Sequence, residues 1–184
     1  MATKRLRNWA LGAACVVGLS ACHPITGCGI GPLSVGMPQD QAQQAGFEFT
    51  TAFESQGLDD CGTYESKRPN DDHLLGLGYD RVISWVQTDN PTDTLTNGLG
   101  PGSTYAEIQA VYGSDAVVHF PSNDPYDNVA LYVPVVVVKV GSNAITFEMK
   151  SEALAANGRL KGSTIAEYVK VSTWAARGDD EGCA

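Results

Sequence analysis

The sequence predicts an α+β protein made of two tandem repeats, each a short helix packed on an antiparallel β-meander. A glycine-centred motif occurs twice, with its central glycines 66 residues apart. Each copy opens a run compatible with a helix, and each run is followed by segments with the alternation of β-strands. The alternative is that the two motifs are unrelated helix starts with ordinary caps.

The two copies of the motif carry the signals of helix ends. They read PLSVGMPQDQAQQAG over residues 32–46 and GLGPGSTYAEIQAVYG over residues 98–113. In the second copy Thr104 and Glu107 have the spacing of a capping box, and Gly113 is typical of the residue after a helix. In the first copy Pro38 suits the first helical position, and Gly46 ends the run. The sequence therefore predicts one short helix in each copy.

Helix and strand faces follow from the spacing of apolar residues. In the second helix Ile108, Val111 and Tyr112 are spaced to form one buried face. Strands are predicted at 61–67 and 79–89 in the first half, and at 116–120, 131–140 and 144–150 in the second. A tight turn at 141–143 makes the last two a hairpin.

The last predicted strand lies within 164–171, where Val169 and Val171 alternate. Residues 162–167 read GSTIAE and are similar in sequence to GSTYAE at 102–107, where the second helix is predicted. A third helix is therefore the alternative.

The amino-terminal segment has the organisation of an export signal. Three basic residues within 4–7 precede an apolar run at 9–19, which is about half the length that a membrane-spanning helix needs. Residues 19–22 read LSAC and resemble the lipobox of bacterial lipoproteins, in which the cysteine thiol is acylated before cleavage. We therefore expect a signal peptide at 1–21 and a lipid anchor on Cys22. The alternative is an ordinary signal peptide with a chance cysteine.

Domain boundaries follow from this signal and from the two motifs. We expect a flexible tether at 22–29, a first α+β repeat at 30–90 and a second at 91–184. The protein is expected at the cell membrane, lipid-anchored and facing outside the cytoplasm.

The charge of the mature chain excludes some partners. The signal holds three of the 12 basic residues and none of the 21 acidic ones, which leaves nine against 21 and a formal charge of −12. Nucleic acid needs a basic surface, and so does electrostatic adhesion to anionic lipid. We therefore expect membrane association through the lipid anchor, and an unidentified envelope protein as partner.

Three cysteines remain after processing, and they allow one disulfide. A bond between Cys61 and Cys183 would tie a polar carboxyl terminus to the first half of the chain, and we prefer it. In the chain-entropy model, a disulfide that closes a loop of that length stabilises the fold by about 4 kcal/mol. The alternative pairs Cys28 with Cys61. The cysteine and histidine spacing predicts no metal site.

The sequence carries no catalytic constellation, so we expect neither an enzyme nor a cofactor. The histidines His23, His73 and His119 are separate, and no serine or cysteine lies in a nucleophile elbow. His73 follows Asp71 and Asp72 and is interpreted as part of a solvated turn; a metal ligand or a base is the alternative.

A strand that is apolar on both faces suggests a covered surface. Residues 131–140 read LYVPVVVVKV, so something must cover the second face, either the sheet of the other repeat or a partner. Pro134 must lie at an edge or a bulge. Trp85 and Tyr132 are the aromatic residues we expect to anchor a partner, since tryptophan and tyrosine dominate binding hot spots.

Taken together, the tandem units resemble the β-lactamase-inhibitor-protein-like fold, which also occurs in small outer-membrane assembly lipoproteins of the SmpA/OmlA type. The stretch GIGPLSVGM at 29–37 and the closing EGCA at 181–184 are similar to bacterial lipoproteins of this build. The resemblance implies a non-enzymatic protein-binding or assembly module. A disulfide in each repeat would need four cysteines, so β-lactamase inhibition and its contact residues do not transfer. An inhibitor of a secreted hydrolase and an envelope enzyme are the alternatives.

Overall fold

The computed structural model of the protein describes residues 24–51, 62–67, 73–77, 81–119, 133–150 and 159–174. In chain order the elements are β1 (Ile25–Thr26), β2 (Gly29–Ile30), β3 (Leu33–Ser34), α1 (Gln39–Gln44), β4 (Glu48–Thr51), β5 (Gly62–Lys67), β6 (His73–Leu77), β7 (Ile83–Thr88), α2 (Tyr105–Tyr112), β8 (Ala116–His119), β9 (Val135–Val140), β10 (Asn143–Met149) and β11 (Ala166–Thr173). A single 3₁₀ turn, Gly113–Asp115, follows α2. Within these residues the protein is a mixed, sheet-rich fold with two antiparallel sheets and two short helices.

The larger sheet has eight antiparallel strands in the order β4-β5-β6-β7-β11-β10-β9-β8. Four consecutive strands of the first half are followed by the four of the second half in reverse order. The halves meet where β7 pairs with β11, with Val86 opposite Val171. The two halves are thus joined edge to edge, so the sheet of one half does not cover β9 of the other, as the sequence had suggested for the predicted strand.

One face of this sheet, the core face, holds the hydrophobic core. Register places one buried residue from each of five neighbouring strands in a single row across it: Leu75, Val86, Val171, Ile145 and Val138. Ala42 of α1 and Ile108 of α2 belong to the same hydrophobic cluster. Both helices therefore pack on the core face, and the alternate residues of each strand point to the other side, which we call the opposite face.

The small sheet of β1, β2 and β3 also packs on the core face. Ile25, Ile30 and Leu33 are almost completely buried and belong to the main cluster. The structure differs here from the predicted flexible tether at 22–29, because these apolar side chains are in the core. Any spacer after Cys22 is therefore short, since the folded part begins by Ile25.

The start of each helix is tied to the start of the last strand in its half. Pro38 bridges Val82 before β7, and Thr104 bridges Ile165 before β11. Both motif glycines have a positive φ, 86° at Gly36 and 89° at Gly102, a conformation that favours glycine.

The helix signals in the sequence are mostly confirmed, although Pro38 is the N-cap of α1 and not its first helical residue. The capping box of α2 is present: Glu107 N–H donates to Thr104 Oγ1 at 3.2 Å, and Thr104 N–H donates to Glu107 Oε2 at 2.8 Å. Gly113 has a positive φ of 55°. The buried face of α2 was wrong in one position, because Val111 is 48% exposed while Ile108 is buried.

The strand predictions were incomplete. Every predicted strand has a counterpart, and 166–173 is a strand and not a third helix. However, β4, β6 and the small sheet were missed. His73, interpreted as part of a solvated turn, begins β6 and is only 4% exposed. Pro134 was expected at an edge or a bulge, and it immediately precedes β9, which is an internal strand of the sheet. Its carbonyl accepts a hydrogen bond from Met149 N–H at 2.9 Å.

Candidate functional site

The opposite face of the large sheet carries a cluster of polar side chains at its centre. Trp85 of β7 lies opposite Ser172 of β11, and Lys170 of β11 lies opposite Thr146 of β10. Ser172 and Lys170 are two residues apart, so both project to the same side. Strand pairing thus brings these four residues together, and we call them the polar cluster.

All four residues of the polar cluster are buried. Trp85 and Lys170 are 4% exposed, Thr146 is 2% exposed and Ser172 is fully buried. Polar residues on a sheet surface normally face water, so their burial gives this part of the opposite face the character of a protein interior.

Three polar atoms of the cluster are buried without hydrogen bonds. Trp85 Nε1, Thr146 Oγ1 and Ser172 Oγ have no partner in this structure, as judged over the parts of the chain that it describes. Leaving such a group unsatisfied costs about 1–3 kcal/mol. The indole N–H donates only, whereas each hydroxyl donates or accepts.

Two lysine–tryptophan contacts flank Ser172 on this face. Lys170 Nζ lies 5.6 Å from the centre of the Trp85 ring, and Lys139 Nζ lies 4.8 Å from the centre of the Trp174 ring. Cation–π contacts of this length fix the orientation of the ring, and they are stronger when the cation is desolvated, as Lys170 is. Both tryptophans are therefore held in place on the opposite face.

The residues predicted from the sequence are distributed unevenly over the structure. Trp85 is in the polar cluster, but its ring is not exposed as a surface anchor would be. Tyr132 and Cys22 lie outside the described residues. The roles of all three stay predictions.

Cys28 is disulfide-bonded, and the other cysteines, Cys15, Cys22, Cys61 and Cys183, lie outside the described residues. If Cys22 is acylated and Cys15 leaves with the signal, the partner of Cys28 is Cys61 or Cys183. The predicted Cys61–Cys183 bond could not then form. Acylation of Cys22 and a Cys61–Cys183 bond are therefore alternatives in a monomer that keeps the Cys28 bond.

The sequence did not point to Lys170, Thr146 or Ser172. Each alternates with a core residue, and that pattern is typical of a sheet with one wet face. No signal in the sequence indicated that these positions are buried.

Other concave features carry little chemistry. A cleft of about 370 Å³ beside α1 is lined by Pro38, Gln39, Asp40, Gln43 and Arg81. This lining contains no serine, cysteine or histidine that could form a nucleophile and base pair. In the described ranges, His, Cys, Asp and Glu side chains form no group of three suited to hold a metal ion. No helix in those ranges is both long and apolar enough to cross a bilayer.

No protein-family model, curated protein or solved structure matches this chain. The resemblance to the β-lactamase-inhibitor-protein-like fold therefore stays a prediction from the sequence motifs.

Proposed function

We propose that this protein is a lipid-anchored cell-envelope lipoprotein that acts as a non-enzymatic protein-binding or assembly module. Cys22 carries the anchor, and the opposite face of the large sheet binds the partner. The observation that carries the binding role lies on this face beside the polar cluster, where Tyr168 and Trp174 are partly exposed and the exposed Lys139 lies over the Trp174 ring. Lys139, Tyr168 and Trp174 are the residues we assign to the partner contact, whereas Trp85, Thr146 and Ser172 are buried beside them.

We further propose that the two halves are tandem copies of one helix-plus-meander unit. Three hydrogen bonds support this in each half. In the first half, Gly36 N–H donates to the Ile83 carbonyl, Ile83 N–H to the Met37 carbonyl, and Gln39 N–H to the Arg81 carbonyl. In the second half, Gly102 N–H donates to the Ala166 carbonyl, Ala166 N–H to the Ser103 carbonyl, and Tyr105 N–H to the Thr164 carbonyl. The helix-side residues are all 66 positions apart and the strand-side residues all 83 apart. Unrelated helix starts would have no reason to share two fixed offsets.

The pairing of β7 with β11 also supports duplication. Gln87 lies opposite Lys170, which is its counterpart at an offset of 83. Val86 pairs with Val171, which is the counterpart of Thr88 at the same offset. Thr88 pairs with Val169, which is the counterpart of Val86. The two strands are thus related by a pseudo-twofold axis through the Gln87–Lys170 pair, the arrangement of a symmetric dimer interface within one chain.

Support for the anchor comes from the sequence. A basic start, a short apolar run and LSAC at 19–22 precede a domain whose first core residue is Ile25. Acyl chains hold a protein of charge −12 to a membrane that repels it, provided that more than one chain is attached.

The second candidate is a proteinaceous inhibitor of a secreted hydrolase. One observation favours it: the opposite face of the continuous sheet carries the partly exposed aromatic residues Tyr168 and Trp174, which could fill a groove on an enzyme. An inhibitor would form a tight complex with a soluble enzyme, whereas an assembly module would stay with other envelope proteins.

The anchor is tested with Cys22→Ser in the full chain. We expect the variant to lose labelled palmitate and to leave the membrane fraction, because serine lacks the thiol that is acylated. Cys15→Ser is the matched control and should retain both. A variant at Cys22 that still incorporates palmitate and stays with membranes would disprove the anchor.

The binding face is tested with Trp174→Ala in the full chain. Trp174 is partly exposed, so the truncation removes contact area from the surface and not from the core. Because tryptophan is enriched in binding hot spots, we expect the partner to be lost while the protein stays folded.

The readout for the partner is photocrosslinking in intact cells from a probe at Lys139, which is exposed on the same face. A probe at Gln109, exposed on α2, is the control. A crosslinked product that persists unchanged in Trp174→Ala would exclude this part of the opposite face as the contact. Tyr132→Ala tests the second predicted anchor in the same assay.

A further inference from the structure

The last strand of the chain lies near the centre of the large sheet. β11 pairs with β7 on one side and with β10 on the other, so it joins the two halves. It ends at Thr173, and 11 residues follow it. Segments near a chain end are poorly ordered unless they are tied down. The pairing of the two halves therefore depends on what holds the end of β11.

Hydrogen bonds connect the end of β11 to the neighbourhood of Cys28. Trp174 N–H donates to the Ser142 carbonyl at 2.9 Å, and Asn143 Nδ2 donates to the Gly27 carbonyl at 2.7 Å. Both bonds involve the turn between β9 and β10. Cys28 therefore lies beside this turn, at the end of the sheet where β11 finishes.

The disulfide of Cys28 has two candidate partners. Cys28 is disulfide-bonded. With Cys22 acylated and Cys15 removed in the signal peptide, only Cys61 and Cys183 remain. A disulfide needs the two Cα atoms to lie within about 7 Å of each other. The distance from Cys28 therefore distinguishes the two candidates.

Cys61 is held too far from Cys28 by its place beside β5. It immediately precedes Gly62, the first residue of β5, so the two Cα atoms are about 3.8 Å apart. Gly27 lies against Val140 at the end of β9, since a Cβ atom on Gly27 would be 2.5 Å from Val140 Cγ1. β5 and β9 are five strand spacings apart, or about 24 Å. These links leave about 10 Å or more between the Cα atoms of Cys28 and Cys61, which a disulfide does not span.

Cys183 is close enough along the chain to pair with Cys28. Nine residue steps separate it from Trp174, and an extended chain of that length spans about 30 Å. The two hydrogen bonds at the β9–β10 turn keep Trp174 within roughly 20 Å of Cys28. Of the two candidates, the geometry thus favours Cys183.

We propose that Cys28 and Cys183 form the disulfide and that Cys61 remains a thiol. The bond ties the end of the chain to the small sheet, and it thereby holds β11 in place between β7 and β10. The pairing rests on the acylation of Cys22, which is part of the proposed function. It replaces the Cys61–Cys183 bond that the sequence predicted.

The bond forms by thiol–disulfide exchange with a disulfide-bearing oxidant of the envelope. The thiolate of one cysteine attacks the oxidant and forms a mixed disulfide with it. The thiolate of the other cysteine then attacks the protein sulfur of this mixed disulfide and releases the oxidant as a dithiol. The two protein thiols lose two protons and two electrons, and the oxidant gains them. An oxidising compartment outside the cytoplasm allows such a bond to persist.

The first test maps the disulfide by mass spectrometry in the full acylated protein, extracted in detergent with free thiols blocked by iodoacetamide. Digestion is done without reduction. Trypsin cuts after Arg177 and releases Cys183, and a glutamate-specific protease cuts after Glu48, between Cys28 and Cys61. We expect the Cys28 peptide to be linked to the Cys183 peptide, and Cys61 to be alkylated.

The same spectra separate failure of the pairing from failure of the lipid anchor. A Cys28–Cys61 link beside an acylated Cys22 would overturn the pairing alone, and so would a disulfide-linked dimer on a non-reducing gel. Cys22 found in a disulfide would overturn both the pairing and the acylation on which it rests.

Thermal unfolding provides a second measurement. Cys61→Ser should leave the Tm unchanged, and it serves as the background because it prevents the remaining cysteines from pairing with Cys61. In this background Cys28→Ser and Cys183→Ser should each lower the Tm by about 10 °C, because the bond closes a loop of more than 150 residues. Both changes together should lower it no further, since they remove the same bond. Additive losses, or a loss of this size in Cys61→Ser itself, would contradict the pairing.

Discussion

The two halves of the protein differ in whether the helix or the strand supplies the larger of two buried residues at corresponding positions. Ala42 of α1 corresponds to Ile108 of α2 at an offset of 66, and Ile83 of β7 corresponds to Ala166 of β11 at an offset of 83. All four residues are buried, at most 1% exposed. The first half therefore has a small residue on the helix and a large one on the strand, and the second half has the reverse. One backbone arrangement accepts both solutions as long as the combined volume is kept.

The largest expected effect comes from removing the large residue of either half. Ile83→Ala and Ile108→Ala should each lower the free energy of unfolding by about 2–5 kcal/mol, because each leaves a cavity in a packed core. Denaturant unfolding measures the loss. Val111→Ala on the exposed side of α2 is the control, with an expected change within about 0.5 kcal/mol. If Ile108→Ala were no more destabilising than Val111→Ala, the packing comparison would be wrong.

The second prediction exchanges the two solutions within one half. Ala42→Ile alone should destabilise by about 1–3 kcal/mol through overpacking. Combined with Ile83→Ala, it recreates the arrangement of the second half. The double variant should therefore lose about 0.5–3 kcal/mol less free energy of unfolding than the two single variants together. Ala42→Ile combined with Ile108→Ala spans both halves and should be additive within about 0.5 kcal/mol. Additivity in both pairs would mean that Ala42 and Ile83 do not share a packing site.

The third prediction concerns the two ways in which the helices begin. Residue 38 is a proline with φ −62° and no side-chain cap, whereas Thr104, with φ −80°, forms a capping box. Thr104→Ala should cost about 1 kcal/mol through loss of the cap. Thr104→Pro should cost more than Thr104→Ala although the native φ suits proline, because it also removes the backbone N–H that donates to Glu107 Oε2. Thermal unfolding of both variants makes the comparison, and a Thr104→Pro variant as stable as Thr104→Ala would show that this backbone hydrogen bond contributes nothing.

Local signals in the sequence predicted both helices and six of the eight strands of the large sheet. The capping box, Gly113 and the alternation of Val169 with Val171 depend on nearest neighbours, and all three are present in the structure. By contrast, β6 was missed because His73 follows an Asn-Asp-Asp run that favours a turn. Its burial depends on pairing with β5 and β7, which no local pattern encodes.

Long-range arrangement was the part that sequence reasoning could not supply. The tether was expected to be flexible because 22–29 is rich in glycine, but Ile25 and Ile30 belong to the hydrophobic core, and β2 packs against β7 and β11. The site shows the same limit. Trp85 was selected for its residue type alone, whereas Thr146 and Ser172 become candidates only when pairing places them beside it.

The smallest expected effect is a pH dependence confined to the second helix. The backbone N–H of Thr104, and next its hydroxyl, donate hydrogen bonds to Glu107 and hold the pKa of that carboxyl below its usual 4.5. A carboxyl with a lowered folded-state pKa stabilises the fold above pH 4.5, and this stabilisation is lost as the pH falls through the folded-state value. The corresponding residue of α1 is Gln41, which does not titrate. Amide exchange should therefore show α2 losing protection relative to α1 below pH 4.5, and Glu107→Gln should abolish the difference. An NMR titration that placed the pKa of Glu107 at 4.5 or above would show that the capping box does not act electrostatically.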